Sequence, residues 1–206
     1  MTHANTAFLL LDMQNDLCHE EGIFQKHGLG ANAQIATILP NIIDTITFCK
    51  NKGIPVIATQ MTVILNIKKE AIGLGSLNSM RPFLTKEGYR EGTWGHDILE
   101  GIPKPDFLVR KWGISAFYET ELNHLLHSLQ IEKLLLSGFP TNGTVETFAR
   151  EALSRNYKII TLTDCVTGYS ESLNQSSLTN LGAFGKIFTA KEWQNQISLS
   201  SSSNSI

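Results

Sequence analysis

The chain has 206 residues, 42% hydrophobic and 17% charged, enough apolar mass for one domain-sized core. Its formal charge of −2, from 17 basic and 19 acidic residues, gives no field that would draw it to nucleic acid or to an anionic membrane. No apolar run approaches the ~20 residues of a spanning helix, and the opening Met1-Thr2-His3-Ala4-Asn5-Thr6 lacks the basic start of a secretory leader.

The elements follow in chain order. Ala7–Leu11 is a short continuous apolar run ending in Asp12, the pattern of a central parallel strand buried on both faces. Residues 13–39 read as irregular, broken by Gly22, Gly28 and Gly30. Pro40 suits the first turn of a helix, whose apolar face is Ile42, Ile43, Ile46 and Cys49 and whose end is Gly53. Pro55–Ala58 is a second strand. The long stretch 62–102 is punctuated by glycine and holds one short helix at most. Phe107–Val109 is a third strand, running into Arg110 and Lys111. Leu122, Leu125, Leu126 and Leu129 mark the next helix. Leu134–Leu136 is the fourth strand, followed by a helix from Thr144 to Arg155. Residues 157–162 form the fifth strand, 172–184 a helix, 186–188 a sixth strand and 191–196 a last helical turn. The domain is expected over 1–197. The Ser-rich stretch 198–206 has little to bury and reads as a disordered tail.

Strands alternating with helices predict an α/β fold: a mainly parallel sheet of six strands with helices on both faces, in three layers. Ligands bind such sheets beyond the carboxyl ends of the strands. That rule singles out Asp12, Lys111 and Thr144, a carboxylate, an ammonium and a hydroxyl at three strand ends. Thr144 also lies in the tight turn 137–144 that leads into a helix, where free backbone N–H groups favour negative charge.

These residues carry a resemblance. Leu11-Asp12-Met13-Gln14-Asn15-Asp16, Val109-Arg110-Lys111 with Ser115-Ala116-Phe117, and Gly138-Phe139-Pro140-Thr141-Asn142-Gly143-Thr144-Val145-Glu146-Thr147 resemble, in this order, three motifs of the isochorismatase-like superfamily, which includes nicotinamidases and other cysteine hydrolases. Glu91-Gly92-Thr93-Trp94-Gly95 and Thr163-Asp164-Cys165 fit as well. The likeness spans residues 5 to 190. It implies a Rossmann-like sheet, a homodimer or larger homo-oligomer, and a catalytic set at Asp12, Lys111 and Thr144. It also assigns substrate contact to Leu17, Gln60, Trp112, Phe117, Phe139 and Pro140, and a cis peptide bond at Phe139–Pro140.

Two departures bear on the chemistry. The family's cysteine hydrolases carry their nucleophile at the position of Thr144, whose hydroxyl stays protonated at neutral pH and has no histidine in these motifs to activate it. Pro140 replaces a residue whose N–H helps form the oxyanion hole, and proline has no N–H. Isochorismatases also lack the cysteine, and the resemblance implies that their aspartate protonates a vinyl ether. Two readings follow: a small-molecule hydrolase with Asp12 as acid/base and Lys111 as electrostatic partner, or a silent homologue that binds a small ligand or acts by assembly.

No metal or other cofactor is expected. The Asp and His pair of nicotinamidase-like members has no counterpart in Thr59-Gln60-Met61-Thr62-Val63. His124 and His127 lack a third ligand, and the remaining histidines, including His96, read as surface or pocket rim. Cys18, Cys49 and Cys165 are an odd set without ligand spacing, the usage of a reducing cytoplasm. Cys18 reads as a small buried hydrophobe.

Overall fold

Every residue of β1 (Thr6–Leu11) is buried, because both faces of the strand meet a core. Phe8 and Leu10 enter one core, and Ala7, Leu9 and Leu11 the other. The structure is a computed structural model describing residues 5–202. The strands continue as β2 (Val56–Met61), a small antiparallel hairpin of β3 (Ile64–Leu65) and β4 (Ala71–Ile72), then β5 (Phe107–Lys111), β6 (Lys133–Gly138), β7 (Lys158–Val166) and β8 (Lys186–Phe188). Apart from the hairpin they form one sheet in the order β5-β2-β1-β6-β7-β8, with every pairing parallel.

The helices are α1 (Asn15–Cys18), α2 (Ile23–Lys26), α3 (Asn32–Asn51), α4 (Leu77–Met80), α5 (Leu122–Ser128), α6 (Glu146–Ser154), α7 (Glu171–Phe184) and α8 (Ala190–Ser202). Apolar residues of α3 and α8 fill the core on the Phe8 face, and those of α5, α6 and α7 fill the other. The result is the expected three-layer α/β architecture.

Several boundaries move, each for a packing reason. Residues 13–39 are not irregular: they hold α1, α2 and the first turns of α3. Pro40 lies inside α3 rather than at its start. An interior proline costs about 3 kcal/mol, but Ile35, Ile38, Ile42, Ile46 and Cys49 form one buried stripe across it, each apolar side chain contributing about 1.5–3 kcal/mol. The helix ends in a Schellman motif: Gly53 has φ +67, its N–H reaches the Lys50 carbonyl at 3.1 Å, and the Ile54 N–H reaches Cys49 at 2.9 Å. β2 runs to Met61, three residues past the expected end. The last helix runs from Ala190 to Ser202 rather than over a single turn at 191–196, with Trp193 and Ile197 buried against the sheet. The expected tail falls partly on residues 203–206, outside the described residues.

Candidate active site

The sheet order creates the site. β1 and β6 are neighbours, but the chain leaves β1 toward β2 and leaves β6 toward β7, so a crevice opens between their carboxyl ends. Asp12 follows β1. Thr144 sits in a π-type turn, Thr141–Val145, inserted between β6 and α6. That turn moves the start of α6 to Glu146, two residues later than the sequence pattern suggests. Lys111 ends β5, two strands from β1, roughly 10 Å at about 4.8 Å per strand. Only a long side chain spans that gap.

The three groups meet. Lys111 Nζ lies 2.6 Å from Asp12 Oδ2, and the Thr144 hydroxyl donates to the same oxygen at 2.8 Å. The Thr59 hydroxyl donates to Asp12 Oδ1 at 2.7 Å, and Lys111 also donates to the Ile114 carbonyl at 2.9 Å. Asp12 and Lys111 are 5% and 1% exposed, so the pair exists because each charge has its partner. Asp12 has φ +57. A left-handed conformation costs a non-glycine residue on the order of 1–3 kcal/mol, and such strain concentrates at functional sites. Gly138, at φ +123, lets β6 approach β1: a Cβ there would strike the Leu11 carbonyl. The next peptide bond, Phe139–Pro140, is cis.

The rest of the first motif moors the long 62–102 connection. The Gln14 side-chain amide donates to the carbonyls of Met61 at 3.1 Å and His96 at 2.8 Å, and its oxygen accepts from the Met61 N–H at 2.7 Å. Asn15 bonds the Trp94 carbonyl and the Glu100 N–H. Asp16 accepts from the Tyr89 N–H at 2.6 Å. Gly95 is required here because a Cβ would run into the Asp16 carboxylate. Instead of one short helix, the connection carries the β3–β4 hairpin, α4 and two 3₁₀ turns. His96 is buried, not at the rim, with its ring 2.8 Å from the Thr62 hydroxyl.

A cavity of about 400 Å³ opens over this cluster. Asp12, Lys111, Thr144, Leu17 and Pro140 line it. The other four expected contacts are not in its lining. Gln60 points away and donates to the His96 carbonyl, because successive residues of a strand face opposite sides. Phe139 is buried in the core edge-on to Tyr169. Phe117 packs on Phe148 in the opposite core. Trp112 lines a separate groove with Leu108 and Arg110. Thr59, Tyr89, Arg81 and Tyr169 escape the sequence reading. Thr59 was within reach: extending β2 by one residue sets it beside Leu11. Cys18 is buried outside the lining. Burial, with the charge of Asp12 behind it, pushes its thiol far up, and burial does the same for Cys49 and Cys165, so none offers a thiolate.

The isochorismatase domain family model matches residues 6–192. The chain is 28% identical to nicotinamidase 3 of Arabidopsis thaliana over 183 residues, covering 87% of this chain and 81% of that protein. It is 25% identical to a probable inactive nicotinamidase of the same plant, covering 94% and 96%. A crystal structure of a cysteine hydrolase from Pseudomonas syringae pv. phaseolicola superimposes with a TM-score of 0.84 at 21% identity, covering 96% and 94%, which shows a shared fold. With the family match running from the first residue of β1 into α8, over the same strand ends that build the cavity, the chain belongs to the isochorismatase family.

Proposed function

We propose that this chain is a small-molecule hydrolase that works without a cysteine nucleophile, with Asp12 as acid/base and Lys111 as its electrostatic partner. One observation carries the reading: the Asp12 carboxylate lies at the cavity floor between Lys111 Nζ and the Thr144 hydroxyl. Asp12 acts as acid by passing a proton to the substrate and as base by taking one back from the water that adds to the activated carbon; the adduct then breaks its bond to the leaving group, which departs with the proton of the added hydroxyl. Lys111 offsets the negative charge of the carboxylate. The Thr144 hydroxyl is a hydrogen-bond donor to Asp12 rather than a nucleophile, and Pro140 has no N–H to offer an acyl oxyanion. The same reading places the protein in a reducing cytoplasm, as a homo-oligomer acting on a small molecule.

A second reading is a silent ligand-binding homologue. Thr144 and Pro140 favour it, since both remove parts of acyl-transfer chemistry, and so does the likeness to a relative described as probably inactive. A turnover screen of the purified protein against nicotinamide, ureides and isochorismate separates the two, with Asp12→Asn as the blank. The hydrolase reading expects turnover of one class, lowered about 100- to 10,000-fold by Asp12→Asn and less, by about 10- to 100-fold, in Thr144→Ala, the loss of one hydrogen bond to a charged group. No turnover in any class supports the silent homologue. Abolition by Thr144→Ala makes Thr144 the nucleophile and ends the mechanism above.

A further inference from the structure

Arg81 shares the cavity with Asp12 but stands on its outer wall, immediately after α4. The charged side chains of the lining are Asp12, Lys111 and Arg81. The first two neutralise each other at 2.6 Å. Among the described residues no carboxylate lies within ion-pair distance of Arg81. Its Nη1 donates to the Met80 carbonyl at 2.8 Å, and the Tyr169 phenol lies beside the guanidinium. A guanidinium has five N–H donors in a planar fork that matches a carboxylate, so donors remain for an occupant. The walls that share the cavity with it are apolar: Phe24, Leu77, Met80 and Leu84.

We propose that Arg81 is the anion anchor of this cavity, and that the ligand is an organic carboxylate with an apolar body. Its carboxylate seats on Arg81 while its hydrolysable bond faces Asp12. The inference takes the cavity as the substrate site and so rests on the reading above. A monoanion fits better than a phosphate dianion because the lining leaves a single cation unmatched. Tyr169 is a positioning residue: its ring packs edge-on against Phe139, 4.8 Å between centroids, and fixes the phenol that lies against the guanidinium.

Calorimetry with 4-phenylbutyrate and its neutral isostere 4-phenylbutyramide tests the anchor without requiring turnover. On the native protein the acid is expected to bind at least tenfold tighter than the amide. That gap should close to within twofold in Arg81→Gln and narrow in Arg81→Lys, which keeps the charge but loses the fork. Equal binding of acid and amide to the native protein overturns the proposal, as does no binding of either, or a gap that survives Arg81→Gln. An unchanged melting temperature for Arg81→Gln ties the loss to recognition. An intact gap without turnover of any substrate removes the hydrolase reading and leaves the anchor. Turnover without the gap does the reverse.

Discussion

The strand ends and the 62–102 connection meet in one cavity but are held in opposite ways. At the strand ends, Asp12, Thr59, Lys111 and Thr144 are all buried and bonded to one another, and adjacent parallel strands set their spacing. In the connection, α4 buries no residue, while Ile64 and Ile72 are half exposed and Ile67 is fully exposed. It is fastened from below by Gln14, Asn15 and Asp16. On the proposed function, the chemistry sits where the fold has most to lose from a change, and recognition sits where it has least. Substitutions at the strand ends should cost stability and activity together, whereas those at the cavity's outer wall should alter what binds.

The largest expected effect breaks the comparison at its buried ion pair. Lys111→Met and Asp12→Asn should each cost about 3–5 kcal/mol, because each strands a buried polar or charged partner. Asparagine is chosen at position 12 because it tolerates the left-handed backbone. The double variant should cost clearly less than the sum, and urea unfolding of all four proteins gives the coupling. Additive losses would mean that the pair is not a unit.

A pair of glycines sharpens the contrast. Gly138 and Gly73 both have positive φ, but a Cβ on Gly138 meets the Leu11 backbone, while one on Gly73 in the connection meets open space. Gly138→Ala should cost about 3 kcal/mol or more, from backbone strain plus collision. Gly73→Ala should cost only about 1–2 kcal/mol, from backbone conformation alone. Similar unfolding midpoints for the two variants would erase the distinction between the regions.

The smallest effect probes the seam between them. Burial holds the His96 imidazole below its ordinary value, more strongly than nearby Asp97 raises it. The unfolded chain therefore takes up a proton near pH 6.5 that the folded protein still refuses. Stability should be full above that pH and fall as pH drops through it toward the folded value. His96→Gln should flatten this slope in melting temperature against pH. An identical slope in the variant would assign the acid sensitivity to other groups.

How far the sequence reached can be judged from single residues. Asp12 could be singled out because a strand buried on both faces is a continuous apolar run, and the residue where it stops marks the strand end; Lys111 follows a shorter apolar run on the edge strand β5, and Thr144 lies in the turn between β6 and α6. Gln60 and Thr59 show the limit. They are neighbours on β2, and which one faces Asp12 depends on the register Leu11↔Thr59. A shift of one residue would exchange their faces, and register belongs to strands whose paired residues lie 48 apart in the sequence. Pro40 shows the same limit in a helix: its local rule is real, but a stripe of isoleucines buried against the sheet outweighs it.

By itself, then, the sequence determined the alternation of strands and helices, the parallel sheet and the strand-end residues, because each is written in short-range patterns of burial and turn chemistry. The tertiary structure alone decided that the Asp12 carboxylate is shared by Lys111 and Thr144, that Gln14, Asn15 and Asp16 moor the connection, and that Arg81 and Tyr169 enter the cavity. Those outcomes depend on strand order, on register and on contacts between segments tens of residues apart, and no local pattern encodes them.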